Sequence, residues 1–196
     1  MLNVKELSDL TFLVEGSEIY ASRVILVAAS DYFKALLAGA GFREQQQAGK
    51  PIEMRGVDRA TFLICLRFLY SGTVELNVSN VMAVLRAADM YHIAPLCNAC
   101  GSKMEEMLDD ATWFTFLAAV DQIASMDRMR TACLHYVRAN PTAILVDAVA
   151  DELRLLSFST MHALCSCVGC SDGAKSRGRE QTSQLIDASM QVLLTW

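Results

Sequence analysis

The side chains best suited to chemistry in this sequence are cysteines and histidines. Cys97 and Cys100 stand in a Cys-x-x-Cys arrangement, which in dithiol redox proteins lies at a strand-to-helix junction. Here the pair follows Pro95 inside a helical pattern, where buried thiols behave as small apolar side chains. We therefore expect both cysteines to be core thiols, with a redox site as the alternative.

A second group combines one histidine with three cysteines. Its members are His162, Cys165, Cys167 and Cys170. Zinc accepts all four as ligands. The first part of the group lies in an amphipathic helical pattern, however, and residues two apart on a helix point to different faces. The sequence leaves a zinc site open as the alternative, and we predict no bound metal or cofactor.

Other catalytic patterns are absent from the sequence. The histidines, His92, His135 and His162, lie in helical segments without an acidic partner and a nucleophile arranged beside them. The sequence also contains no glycine-rich phosphate loop, HExxH or GxSxG motif. We therefore predict that the protein is not an enzyme.

Composition indicates a folded chain that does not bind nucleic acid. Of 196 residues, 53% are hydrophobic and 20% are charged, which is unlike a disordered chain. The formal net charge is −5, and lysines and arginines are scattered singly except at residues 175–179. The chain therefore lacks the basic stripe on which a phosphate backbone releases counterions.

The expected compartment is reducing, and no membrane partner is expected. No apolar run approaches the ~20 residues that span a bilayer. Lys5, Glu6 and Asp9 interrupt any signal-peptide core at the N-terminus. The seven cysteines lack the spacing of a small secreted disulfide framework. We predict a cytoplasmic or nuclear protein.

The elements that position these residues begin with a hairpin. The apolar residues that recur at every second position are Leu10, Phe12 and Val14. This alternation predicts a strand that ends at Gly16. Gly16-Ser17 is predicted as the turn and residues 18–21 as the returning strand, and residues 52–54 are predicted as a third strand.

Capping residues predict where the helices begin. The predicted caps are Ser22, Asp31, Asp58 and Ser79. The apolar residues 24–29 predict a first helix that is buried almost all round, and Gly72 is predicted to end the third helix. From Ala111 onward the pattern is helical, as far as a polar linker at 171–183. The chain is thus predicted to be α+β, with an all-helical second half.

The order of motifs in the first half resembles the BTB/POZ family. D-x-x-F-x-V at Asp9 is followed by an aromatic residue, A-x-R, an apolar helix, A-A-S-x-Y-F and F-x-E. FLICLRFLYSGTVEL at 62–76 and NVMAVLRAADMYHIAPL at 80–96 continue the pattern. The resemblance implies a BTB/POZ fold, a small sheet covered by a helical cluster, over residues 1–108. Ser22 stands where the family usually has His, and Ser can also cap a helix.

The second half resembles the BACK region that follows BTB domains in several adaptor families. The resemblance centres on ACLHYVRANPTAIL at 132–145. It implies a BACK-like helical region at 109–170, followed at 171–196 by a linker and a C-terminal helical tail of unknown role.

The resemblance implies a docking loop at Phe42 and Glu44. In BTB adaptors that recruit the third cullin, an apolar residue, any residue and then Glu insert from this loop beside a helix of the scaffold. An aromatic anchor can fill a pocket while the carboxylate meets a donor at the rim. The alternative is an ordinary exposed loop, with Phe42 folded back on its own domain.

The resemblance also implies a charged pair and a dimer surface. Asp9 and Arg23 match the family's paired charges near the dimer groove, where an ion pair could orient the strand and the first helix; a purely structural role is the alternative. The apolar positions expected in a homodimer interface are Ile25, Leu26, Tyr32 and Leu36. These residues could equally belong to the monomer core.

The sequence and the resemblance together predict a protein-interaction module. The expected function is a homodimerising adaptor that links a cullin-three RING E3 ubiquitin ligase to an unknown protein substrate. Such adaptors normally carry kelch, MATH, ankyrin or armadillo repeats as receptors, and none is recognisable in these 196 residues. Substrates are expected to arrive through the BACK-like helices, the tail, a second protein or further parts of a longer chain. The alternatives are a BTB scaffold that oligomerises in transcriptional or cytoskeletal assemblies without a ligase, and a zinc or thiol enzyme.

Overall fold

The structure of this protein is a computed structural model that describes residues 2–38, 50–123, 126–140 and 156–169. It divides into two units, Met1–Lys103 and Met104–Trp196. The first unit combines a sheet with helices, and the described part of the second unit contains helices alone. The predicted α+β class with a helical second part is confirmed.

Three short strands form the sheet of the first unit, in the order β2-β1-β3. β1 (Leu10–Val14) runs antiparallel to β2 (Ser17–Ala21) and parallel to β3 (Ile52–Met54). Every second residue of β1 is buried, since the side chains of a strand point alternately to opposite faces. The strands predicted from the sequence are confirmed.

The hairpin turns one residue earlier than predicted. Val14 pairs with Ser17, which leaves Glu15 and Gly16 as the two loop residues. Both have positive φ, 48° and 75°, as a type I′ turn requires, and the twist of that turn matches the twist of its flanking strands. Ser17 therefore already belongs to β2.

Five helices lie within the described residues between 23 and 106. They are α1 (Arg23–Ala29), α2 (Asp31–Ala38), α3 (Arg59–Ser71), α4 (Val81–Met90) and α5 (Ala94–Glu106). Asp58 caps α3 as predicted, because its carboxylate accepts a hydrogen bond from the N–H of Thr61 at 2.9 Å. Gly72 ends α3 with φ of 72°, also as predicted.

Of the other three predicted helix caps, Ser22 stands at the N-cap position of α1 as expected, whereas Asp31 and Ser79 are wrong. Ser22 precedes α1, but its side chain makes no capping hydrogen bond. At α2 the Ser30 hydroxyl accepts from the N–H three residues later, so the cap lies one residue before Asp31. Before α4, Asn77 replaces Ser79 as the acceptor, because its Oδ1 receives two backbone N–H groups. At α2 and before α4, a neighbouring acceptor takes the expected role.

Four aromatic rings form the centre of the first unit. They are Phe12 of β1, Phe33 of α2, Phe62 of α3 and Tyr91 after α4, and all four are fully buried. The ring centroids are 5.3 Å apart for Phe12–Phe62, 5.4 Å for Phe33–Tyr91 and 5.8 Å for Phe62–Tyr91. These tilted and edge-on pairs have the separations that aromatic rings prefer. The cluster fixes the helices against the sheet.

The described helices of the second unit beyond α5 are α6 (Trp113–Val120), α7 (Asp127–Ala139) and α8 (Phe158–Gly169). Asp121, directly after α6, has a fully buried side chain. Its carboxylate accepts hydrogen bonds from the Ser157 hydroxyl at 2.9 Å, from the Ser157 N–H and from the Thr160 hydroxyl. Asp121 thereby fastens the start of α8 to the end of α6. The helical pattern predicted from Ala111 onward includes residues 143–155, which lie outside the described residues, as does the tail at 171–196.

Candidate protein-interaction surface

The start of α1 is where the two predicted charged residues meet. Asp9 directly precedes β1, and Arg23 is the first residue of α1. The Asp9 carboxylate accepts a hydrogen bond from the backbone N–H of Arg23 at 2.7 Å. The Arg23 guanidinium donates to the carbonyl oxygen of Leu37 in α2 at 2.9 Å. Asp9 thus caps α1 from outside the helix, and Arg23 ties α1 to α2.

A second side chain, Tyr70, also holds the start of α1. Tyr70 lies in the last turn of α3, and its hydroxyl oxygen accepts a hydrogen bond from the backbone N–H of Ser22 at 2.6 Å. The sequence does not indicate this contact, because 48 positions separate the two residues. The only local signal was an aromatic side chain just before the Ser71-Gly72 helix stop.

The helix α1 is much less buried than its sequence predicted. Within this helix Leu26 alone is buried, and Val24 exposes 75% of its surface. Ala28 and Ala29 are exposed as well. The prediction of a helix buried almost all round was wrong, because only the Leu26 side of α1 meets the rest of the unit.

The predicted interface positions differ in how accessible they are. Leu26 is fully buried and belongs to the core of the first unit. Ile25, Tyr32 and Leu36 are half-buried and keep surface that a partner could cover. The Tyr32 ring also lies 5.2 Å from the ring of Tyr91, so it contributes to the core at the same time. The interface role of the three accessible residues stays a prediction.

Two exposed apolar side chains lie close in sequence to Asp9 and Arg23. Leu7 is 59% exposed and lies two residues before Asp9, and Val24 follows Arg23 directly. Exposed apolar patches on a folded chain mark interaction sites. We call Leu7, Val24 and the half-buried Ile25 the α1 surface.

The predicted docking residues Phe42 and Glu44 lie outside the described residues. They fall between α2 and β3, in the stretch 39–49. Their cullin-binding role remains the prediction made from the sequence.

The Cys-x-x-Cys pair lies inside α5, and both thiols are free and buried. Burial raises the pKa of Cys97 to about 11 and that of Cys100 to about 12. Because the thiolate is the nucleophilic form, thiols with such high pKa values are poor redox nucleophiles near neutral pH. The prediction that Cys97 and Cys100 are core thiols is confirmed.

The metal and membrane alternatives find no support in the part of the chain that the structure describes. There, no group of three or more His, Cys, Asp and Glu side chains could hold a metal ion. His162 is exposed, while the side chains of Cys165, Cys167 and Cys170 lie outside the described ones. No described helix combines the length and apolar character needed to cross a membrane.

Comparison with known proteins decides the family. The family model for the BTB/POZ domain matches residues 1–108 of this chain. The chain belongs to the BTB/POZ family. The BTB/POZ domain is a protein-interaction module, and no catalytic family is indicated by this match. The predicted resemblance is therefore confirmed for the first half of the chain.

Several proteins are similar to this BTB/POZ chain. An Arabidopsis thaliana protein named ARM repeat protein interacting with ABF2 is 39% identical over 99 residues, which cover 50% of this chain and 14% of that protein. Human Kelch-like protein 6 is 29% identical over 156 residues, which cover 80% of this chain and 24% of that protein. The solved BTB domain of human Gigaxonin is 26% identical with a TM-score of 0.42, covering 49% of this chain and 76% of that one. This chain spans a quarter or less of the length of these two curated relatives.

Proposed function

We propose that this BTB/POZ protein is a homodimerising substrate adaptor for a cullin-three RING E3 ubiquitin ligase. The observation that carries the proposal is the α1 surface, where Leu7 and Val24 are exposed close in sequence to the hydrogen-bonded residues Asp9 and Arg23. Apolar area of this kind favours burial against a second protein. The names of two relatives support the adaptor role, since kelch and armadillo repeats are receptors that such adaptors normally carry.

In the proposed homodimer, the α1 surfaces of two copies of the chain pack against each other. In a two-fold dimer both chains use the same patch, so each covered side chain contributes twice. Burying the exposed part of Val24 is worth roughly 1–2 kcal/mol per chain. Ile25 belongs to this surface, and the half-buried Tyr32 and Leu36 can add area to the same interface, whereas Leu26 is already covered.

Recruitment of cullin-three is proposed to use Phe42 and Glu44. Their spacing matches the apolar-x-Glu pattern of the family's docking loop. A phenylalanine in a pocket has the properties of an interface hot spot, and the carboxylate would add a polar contact at the rim. The free energy of binding is therefore expected to depend mainly on Phe42.

The remaining parts of the chain are proposed to have the domain order of BTB adaptors. We propose a BTB/POZ domain at 1–108, a BACK-like helical region at 109–170 and a linker with a helical tail at 171–196. The helices α6, α7 and α8 support the BACK-like assignment. The proposed location is the cytoplasm or nucleus, and the substrate is an unknown protein reached through the helical region, the tail, a second protein or further chain.

Calorimetry with the N-terminal domain of cullin-three tests the proposal on the full chain. We expect the wild-type chain to bind, and both Phe42→Ala and Glu44→Lys to weaken binding, the first by at least about tenfold. Phe158→Ala is the matched control, because it makes the same substitution at a phenylalanine that is 69% exposed and lies far along the chain from the docking loop. The control should bind as the wild type does.

The same experiment separates the adaptor from the alternative scaffold. If the intact, folded chain does not bind cullin-three, the ligase role is excluded and a BTB scaffold that only oligomerises remains. If Phe42→Ala and Phe158→Ala bind equally well, the docking loop is not the contact. Self-association is common to both functions and does not discriminate between them.

A further inference from the structure

We propose that Tyr70 is a positioning residue for self-association, acting through its hydroxyl group on the start of α1. The inference rests on the proposed dimerisation through the α1 surface. It assigns a role in partner binding to a side chain of α3, which lies outside that surface.

Two side chains accept hydrogen bonds from consecutive backbone N–H groups at the start of α1. The Tyr70 hydroxyl accepts from the N–H of Ser22 at 2.6 Å, and the Asp9 carboxylate accepts from the N–H of Arg23 at 2.7 Å. The first N–H groups of a helix have no partner inside the helix, and the Ser22 side chain makes no capping bond. Tyr70 and Asp9 therefore satisfy two donors that α1 cannot satisfy itself.

The helix α1 depends on such anchors more than a longer helix would. It has seven residues with Leu26 as its buried side chain, and isolated helices of this length are not stable in water. Its exposed Val24 lies only two residues after Ser22. A shift in the start of α1 thus moves the side chains that would meet a partner.

The surroundings of Tyr70 allow its hydroxyl to be removed without leaving a closed cavity in the core. The half-buried ring lines an open cavity of about 680 Å³, together with Ile64, Arg67, Val74 and Glu75. Tyr70→Phe keeps the ring and removes only the acceptor for Ser22. Because the ring borders open space, no closed void forms in the core, and the substitution reports on the hydrogen bond.

Sedimentation equilibrium of the full chain measures the effect on self-association. We expect Tyr70→Phe to raise the dimer dissociation constant about tenfold, since the start of α1, and with it Val24, is no longer held where it would meet the partner. Tyr136→Phe is the matched control, because it also removes a hydrogen-bonded tyrosine hydroxyl, one that donates to the Asp110 carboxylate at 2.7 Å in the second unit. The control should leave the dissociation constant unchanged.

Amide hydrogen exchange supplies a readout that general destabilisation would not move. In Tyr70→Phe we expect faster exchange confined to residues 22–25, with the amides of β1 and α3 protected as in the wild type. Faster exchange throughout the first unit would instead mean that Tyr70 is merely structural, and would overturn the inference.

The outcomes distinguish this inference from the function on which it rests. A dimeric wild type whose dissociation constant changes less than twofold in Tyr70→Phe overturns the positioning role and leaves the proposed dimer intact. A wild type that stays monomeric at every concentration overturns both.

Discussion

The carboxylate of Asp9 lies 2.7 Å from the backbone nitrogen of Arg23 and accepts its hydrogen. Asp9 therefore acts on the Arg23 main chain, at the first residue of α1. The ion pair expected from the sequence between the two side chains stays a prediction. A cap and an ion pair respond differently when the charge is removed and the shape is kept.

Asp9→Asn should be much milder than Asp9→Ala. The amide oxygen of asparagine can still accept from the Arg23 N–H, so we expect Asp9→Asn to keep most of the stability. Asp9→Ala removes the acceptor and should lower the free energy of unfolding by about 1 kcal/mol. Urea denaturation of both variants measures the difference. Equal losses in the two variants would mean that the charge of Asp9 matters and the cap does not.

Asp121 should stabilise the second unit in a pH-dependent way. Burial acts to raise the pKa of its carboxyl, but the hydrogen bonds from Thr160 and Ser157 and the charge of Arg130 outweigh it and lower the pKa below the usual 3.8. A carboxyl with a lowered folded pKa contributes stability that is full above its unfolded value and is lost as the pH falls through the folded value. Asp121→Asn should therefore cost roughly 3 kcal/mol at neutral pH.

The test of this prediction compares the two proteins across pH. The difference in unfolding free energy between wild type and Asp121→Asn should be constant above about pH 5 and shrink below about pH 4. Thr131→Val serves as the control, because its hydroxyl donates to the carbonyl of Asp127 at an exposed position. A difference for Asp121→Asn that stays the same down to pH 2 would rule out the buried carboxylate as its source.

Tyr91→Phe should leave the first unit as stable or make it more stable. The Tyr91 ring is fully buried, and its hydroxyl is a buried polar group without a hydrogen-bond partner among the described residues. A buried unpaired hydroxyl costs about 1–3 kcal/mol relative to its hydration in the unfolded chain. We expect thermal unfolding of Tyr91→Phe to show a gain of about 1 kcal/mol. A loss of that size would reveal a partner for the hydroxyl.

His92→Gly should also stabilise the first unit. His92 has φ of 51° just after α4, and its N–H and that of Ile93 close the helix on the carbonyls of Asp89 and Ala88. This is the Schellman arrangement, in which glycine avoids the strain of the left-handed conformation. We expect a gain of about 0.5 kcal/mol in unfolding free energy, because the greater entropy of unfolded glycine offsets part of the relief. His92→Ala should show no gain, and an equal gain in both would contradict the role of φ.

Features with a local cause could be predicted from the sequence. Asp58 and Gly72 bound α3 through contacts within a few residues, and both were found. His92 ends α4 in the same left-handed backbone conformation as Gly72. The sequence did not predict this, because a residue other than glycine in that conformation cannot be recognised from its type.

Features that depend on distant residues or on partners could not be predicted. The contact between Tyr70 and Ser22 spans 48 positions, and no periodicity encodes it. Val24 and Leu26 are similarly apolar, yet one is exposed and the other fully buried. A hydrophobic pattern shows that a side chain avoids water without showing whether its own chain or another one covers it.

The mass of the full chain in solution, with and without the N-terminal domain of cullin-three, tests the central claim most directly. Light scattering after size exclusion should give twice the 21.5 kDa chain mass for the protein alone, and a further increase when the cullin domain is added. A mass of 21.5 kDa at every concentration, unchanged by the cullin domain, would contradict the account of this protein as a homodimerising adaptor.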